Sequence, residues 1–274
     1  VKAPPSGKFL IVTAEDYGLS PSVSRGILDS VRFGIVRNVS VLTNIVTDEN
    51  LARLKELSAA SVGLHFTLTA GSPVTPPEKV PSLVNADGSF YPRWERLQGR
   101  AHPDHISLEL HAQYERLRRA GFRVCHLNSH HHIHIQPEVL DIFVRFARRR
   151  RLPMRASIPP LREVLNAAGI PTTQHYVGDY FDEPSITVDG LSRILRDLPY
   201  GFSELPCHPG LPDPELLKYS SYTYQRGVEL ATITNSEIQA LLEKEGVILT
   251  SFCVLKSAHY RRRRPVPHAE KALS

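Results

Sequence analysis

The sequence predicts an α/β fold, a distorted TIM-like (β/α) barrel of mostly parallel strands with a long excursion after the third strand. Strand-like and helix-like patterns alternate about eight times over some 250 residues, which is the signature of a mostly parallel sheet. The strand-like segments are short apolar runs, as expected of buried strands. An open doubly wound sheet is the alternative; no G-x-G-x-x-G follows the first strand, so dinucleotide binding has little support.

The elements follow in order. FLIVTAED (9–16) is an apolar run that ends in two carboxylates. In the next segment Ser20 caps a helix, Pro21 fits its first turn and Val23, Ile27, Leu28 and Val31 recur at helical spacing. VRNVSVLTNI (36–45) is a strand, NLARLKELSA (50–59) a helix and SVGLHFTLT (61–69) a third strand. Residues 71–105 are rich in Pro, Gly and Asp, and Asp87-Gly88 marks a turn, so a long excursion with a hairpin is expected there. A helix stopped by Gly121 leads to the fourth strand, RVCHLNSHH (123–131), and then to a helix over 137–150 whose terminal arginines suit the C-terminal dipole. Strands at 152–158, 174–181, 201–210 and 246–252 and helices near 161–168, 187–197 and 235–245 complete the alternation. No internal repeat or linker divides residues 8–255, which read as one domain.

Hydrophobic residues make up 41% of the 274 positions, enough for a sizeable core. No apolar run is long enough for a transmembrane helix, and no charged-then-apolar signal segment opens the chain. Residues 1–7 read as a disordered lead-in, and a chain opening on Val1 suggests a start that is missing or processed. The net charge of +5 resides in residues 256–274, where six Lys and Arg face one Glu. That is a basic, disordered tail rather than a specific nucleic-acid surface. Three widely spaced cysteines, Cys125, Cys207 and Cys253, read as buried free thiols of a reducing, cytoplasmic compartment.

In a (β/α) barrel the reactive groups lie at the C-terminal ends of the strands. Those ends carry Glu15 and Asp16, then Thr43 and Asn44, His65, the group His126, Asn128 and His130, then Arg155, and finally Glu204 and His208. Carboxylates and imidazoles from separate strands meeting at one rim are the layout of a metal hydrolase. Strand alternation puts residues 126, 128 and 130 on one face. His130, nearest the end, is best placed as a ligand, with His126 and Asn128 deeper and suited to supporting it. His131, His132 and His134 lie beyond the reach of this periodicity.

The segments VTAEDYGLSPSVSRGI, GIVRNVSVLTN, VGLHFTLTAGSPV, CHLNSHHHIHIQPEV, MRAS and CHPG, in this order over roughly residues 8 to 255, resemble the YdjC-like carbohydrate deacetylases. The resemblance implies hydrolysis of N-acetyl groups on amino sugars or chitooligosaccharides. It implies a divalent metal held by Asp16, His65 and His130, with Glu15 as base and His208 as acid, and a homodimer. Arg155 is expected to orient His208, a carboxylate or the sugar, and Glu204 belongs to the same rim. Mixed nitrogen and oxygen ligands suit Mg2+, Zn2+, Mn2+ or Co2+. Two positions depart from the family pattern: its acidic pair is usually Asp-Asp, here Glu15-Asp16, and its HLDSHHH is here HLNSHHH, so that Asn128 replaces a carboxylate. A non-catalytic sugar-binding relative and a metal phosphoesterase are the alternatives. A two-His-one-carboxylate oxygenase is disfavoured by the alternating pattern.

Overall fold

In the computed structural model, which describes residues 6–57, 60–218 and 220–261, the first apolar run forms β1 (Lys8–Tyr17), buried from Leu10 onward. Around it lie β2 (Asn38–Val41), β3 (Ser61–Phe66), β4 (Val124–Ser129), β5 (His175–Tyr176), β6 (Gly201–Cys207) and β7 (Val247–Leu249). Every strand pairing is parallel, in the order β4-β3-β2-β1-β6-β5. β7 pairs with Lys8 to Leu10 of β1 while β2 pairs with it from Thr13 on. One edge of β1 thus serves two strands, and the sheet curls into a half-barrel. The free edge of β4 is extended by a single bridge, Leu127 to Met154, and Met154 donates in turn to the carbonyl of Pro171.

The helices form for the reasons visible in the sequence. The Ser20 hydroxyl accepts from the Val23 amide ahead of α1 (Pro21–Phe33), and Thr47 does the same for Asn50 ahead of α2 (Asp48–Lys55). Then come α3 (Pro103–Arg119), α4 (Pro137–Arg150), α5 (Pro159–Ala167), α6 (Val188–Arg196), α7 (Tyr224–Ile233), α8 (Ser236–Lys244) and α9 (Phe252–Arg261). The excursion holds two short 3-10 turns and a minimal hairpin in which Val84 bridges Phe90 around Asp87-Gly88.

Alternation along β1 separates two environments. Leu10, Val12 and Ala14 join the main core, whereas Ile11, Thr13 and Glu15 face into the half-barrel. There Ile11 meets Phe252 and Leu255 of α9, which plug the barrel floor, and the Phe252 ring stacks on His126 with centroids 4.4 Å apart. The space above this plug is polar.

Several sequence expectations are corrected. The segment 152–158 forms only the Met154 bridge, and 174–181 only the two-residue β5, because these edge segments have one strand partner at most. Residues 224–233, unassigned in the sequence, form α7. The helix expected over 50–59 ends at Lys55, with 58 and 59 outside the described residues. The segment from 252, expected to finish a strand and then become a disordered tail from 256, is helical to Arg261. Residues 1–5 of the lead-in and 262–274 of the tail lie outside the described residues. Cys125 and Cys253, expected as free thiols on strands, form a disulfide between β4 and α9; Cys207 is free and buried. Curling of the sheet over α9 brings together two residues separated by 128 positions. Among the described residues, no helix is long and apolar enough to cross a membrane.

Candidate active site

The strand ends build the site residue by residue. Asp16 sits at φ 66°, a left-handed conformation that Asp tolerates better than most side chains, at an irregularity in the β1–β2 register. Its Oδ1 lies 2.9 Å from His130 Nδ1 and 3.4 Å from His65 Nε2. The ligand atoms of Asp16, His65 and His130 all lie within 4.8 Å of one another. Among the described residues, Asp16 Oδ1 and His65 Nε2 are buried with no hydrogen-bond partner of good geometry, their polar neighbours being the other members of this set. Buried polar atoms that are left unpaired carry a substantial cost. One carboxylate oxygen and two imidazole nitrogens converging in this way fit a divalent metal ion.

The remaining atoms of this set are held from behind. Arg226 of α7 donates to Asp16 Oδ2 at 2.7 Å. Burial works to raise the Asp16 carboxyl, but His130 and Arg226 outweigh it and hold it well below the usual carboxylate range. Behind His65 runs a chain of polar contacts. Its Nδ1 is 2.9 Å from the Asn128 amide, Asn128 touches Ser40 Oγ at 2.9 Å, and Ser40 Oγ touches His126 Nε2 at 3.0 Å. Two orientations of the Asn128 amide fit. With Oδ1 toward His65 it accepts from Nδ1–H, and Nδ2 donates to Ser40. Turned over, its nitrogen faces Nδ1 and its oxygen accepts from Arg155 Nη2 at 3.2 Å. The first leaves Nε2 of a neutral ring free as a ligand, whereas the second places the proton on it. Metal ligation by Nε2 therefore requires the first.

His126 is neutral, pushed down to about 3 chiefly by burial and then by Arg155. Its ring explains Gly63: a Cβ there would lie 2.3 Å from the imidazole.

Glu15 reaches the opposite side of the ligand set. Its Oε1 pairs with Arg155, and its Oε2 lies 3.8 Å from His65 Nε2 and 3.5 Å from His208 Nε2. Burial opposes ionisation, yet Arg155, His65 and His208 keep Glu15 well below the usual carboxylate range. Arg155 is fully buried between Glu15 and Glu204, bonding Glu204 Oε1 at 2.7 Å through Nη2, and Thr13 donates to that same oxygen. Burial raises the Glu204 carboxyl despite Arg155.

His208 stands where β6 ends. Its backbone N–H donates to Glu229 Oε2 at 2.6 Å, and its Nδ1 is 3.7 Å from Glu229 Oε1. Burial alone would depress this imidazole, but Glu15 on one side and Glu229 on the other raise it to about 10, so it carries a proton at neutral pH. The adjoining Pro209-Gly210 lets α1 approach: a Cβ on Gly26 would lie 2.5 Å from the Gly210 Cα.

The structure thus brings Glu15, Asp16, His65, His130, Arg155, Glu204 and His208 to one rim, with His126 and Asn128 beneath. Thr43 and Asn44 are not among them: Asn44 instead donates to the carbonyls of Ala70 and Ser72. His131 and His132 turn away from the strand at φ 53° and 52°, and His134 is buried against Ser129. Sequence reasoning missed Arg226, Glu229 and Tyr222. The available signal was Arg226 and Glu229, three apart and so on one face of a helix. A cleft of about 450 Å³ opens over the site, lined in part by Tyr176, Phe181, Tyr222 and, from the rim, Glu15, Asp16 and His208.

Comparison with known proteins supplies the family. The model for YdjC-like protein matches residues 9–244. The chain belongs to the YdjC-like family. A carbohydrate deacetylase of Geobacillus stearothermophilus is 36% identical over 247 residues, spanning 89% of this chain and 97% of the relative. A chitooligosaccharide deacetylase of Salmonella typhimurium is 34% identical over 256 residues, spanning 89% and 98% respectively. A crystal structure from Enterococcus faecalis V583, provisionally described as a cellobiose-phosphate cleavage protein, superposes with a TM-score of 0.84 at 26% identity, covering 91% of this chain and 99% of the other.

Proposed function

We propose that this YdjC-like chain is a metal-dependent hydrolase that removes N-acetyl groups from amino sugars, chitooligosaccharides among them. The observation that carries the reading is the position of Glu15 Oε2, 3.8 Å from His65 Nε2 of the ligand set and 3.5 Å from the protonated His208. A base and an acid thus flank one point beside a metal site. Asp16, His65 and His130 are the residues that would hold the ion, with Mg2+, Zn2+, Mn2+ and Co2+ all compatible with such donors. A divalent ion bound there supplies Lewis acidity toward an amide carbonyl and toward water.

The chain's own groups account for the proton movements. Glu15, ionised and fixed through Oε1 by Arg155, accepts a proton from the attacking water at Oε2. His208 donates from Nε2 to the departing nitrogen, because an amine leaves only when protonated. Glu229 Oε1, 3.7 Å from Nδ1, favours the protonated imidazole, so His208 regains a proton from solvent after each transfer. Glu204 balances the second half of the Arg155 charge and fixes the guanidinium against Glu15. Asn128 orients His65.

The proposal includes a homodimer, which sedimentation velocity measures. It also includes a cytoplasmic location, which the Cys125–Cys253 pairing opposes and thiol counting on freshly extracted protein decides. The function is tested by free-amine release from a panel of N-acetylated mono- and oligosaccharides, with and without each of the four metals. Release that depends on added metal is expected. No release from any sugar by the metal-loaded protein would overturn the reading.

A further inference from the structure

We propose that the exposed face of Phe181 is the platform on which the pyranose ring bearing the acetamido group lies. The inference rests on the deacetylase reading and adds the residue that selects a sugar. Phe181 is 56% exposed and forms part of the wall of the cleft over the site. Its other face is covered. The Tyr222 ring stacks on it with centroids 4.6 Å apart and planes 18° apart.

This stack is fixed to the reacting groups. Tyr222 donates to Glu229 Oε1 at 2.6 Å, the same carboxylate that holds His208. The His208 ring lies edge-on to both aromatics, at 5.9 Å from Phe181 and 5.5 Å from Tyr222. The loop carrying Phe181 is tied down locally: its N–H donates to Ser185 Oγ, and Ser185 Oγ donates to the Asp182 carbonyl. The Asp182 N–H donates to the Tyr222 oxygen at 3.4 Å. The platform is therefore preformed.

Chemistry identifies the occupant. In a 2-acetamido sugar the nitrogen is bonded directly to the pyranose ring. When that nitrogen is within reach of His208 Nε2, the pyranose ring lies beside the His208 imidazole, whose centroid is 5.9 Å from that of Phe181. A pyranose presents a face of C–H groups, which an aromatic face attracts through its negative quadrupole, and a rim of hydroxyls. The cleft offers both partners, one apolar wall and polar groups at Tyr176, His132 and Ser221. The flexible chain of an acetylated lysine has no comparable flat face beside its nitrogen.

The test uses the full chain with metal bound. Affinity for the glucosamine disaccharide, the expected product, is measured by calorimetry in wild type, Phe181→Ala and Phe181→Trp, alongside KM and kcat on its diacetylated form and on an acetyl-lysine peptide. A stacked aromatic is worth roughly a tenfold change in affinity. Phe181→Ala should weaken sugar binding and raise KM by about that factor, with kcat and metal content little changed, and Phe181→Trp should restore both. Unaltered sugar affinity in Phe181→Ala would overturn the platform, as would loss of metal in that variant or a wild-type preference for the peptide. A wild type that neither binds the disaccharide nor releases amine would instead remove the deacetylase reading beneath it.

Discussion

Arg226 donates to Asp16 Oδ2 at 2.7 Å, and both side chains are buried. The contact joins a helix near the C-terminus to a strand end near the N-terminus, 210 residues apart in sequence. It engages one oxygen of the carboxylate and leaves Oδ1 to face His65 and His130.

Removing that anchor should act on metal binding. Groups that orient metal ligands are typically worth tenfold to a hundredfold in affinity. Arg226→Met is expected to lower metal affinity by about this much, measured by competition with a chelating dye. Metal affinity equal to wild type would show that Asp16 needs no orienting partner.

The Asn128 amide can face His65 in either sense, but a carboxylate presents only acceptors. Asn128→Asp should therefore fix the His65 tautomer with the proton on Nδ1 and Nε2 free. We expect metal affinity to rise by roughly tenfold, the scale of such supporting contacts. A fall would mean that the added charge disturbs the Glu15–Arg155 pair more than it helps His65.

His208 supplies the pH dependence. Its pKa is raised to about 10 against burial by Glu15 and Glu229. An acid must be protonated, so kcat/KM should fall as pH rises through that value. Replacing one neighbouring carboxylate lowers the pKa of the imidazolium, since less negative charge stabilises it. Glu229→Gln should move the alkaline limb of the pH profile downward by roughly one unit or more. An unmoved limb would assign it to another group.

Gly63 offers a test of the packing beneath the site. A methyl group there meets the His126 ring at 2.3 Å, and the ring is itself stacked on Phe252. Gly63→Ala should destabilise the fold by about 1–3 kcal/mol, the cost of overpacking a closed interior. Thermal unfolding of this variant at the wild-type temperature would contradict the contact.

Much of this arrangement was legible in the sequence, for local reasons. β1 and β4 are short runs whose alternation and polar ends declare both their faces and their reactive tips. The proposed ligands Asp16, His65 and His130 lie at strand ends and within motifs. What escaped was tertiary. Helix α7 has Gly227 in its second turn, no side-chain cap and charges on its buried face, so its pattern resembles a solvated loop. Arg226 and Glu229 become meaningful only when Asp16 and His208 are beside them. The α9 plug was hidden because Phe252 and Leu255 cover Ile11 from inside the half-barrel, where no strand or helix periodicity applies. The same folding-over joins Cys125 to Cys253.

Acetyl removal is expected to depend on an ion held by Asp16, His65 and His130. This is tested by measuring acetate release from diacetylchitobiose and bound metal in the same samples, for chelator-stripped wild type titrated with metal and for His130→Ala. Acetate release is predicted to rise in proportion to occupancy and to level off at one ion per chain, with folded His130→Ala losing both together. Full release by the stripped protein, or full metal content in His130→Ala, would contradict the account.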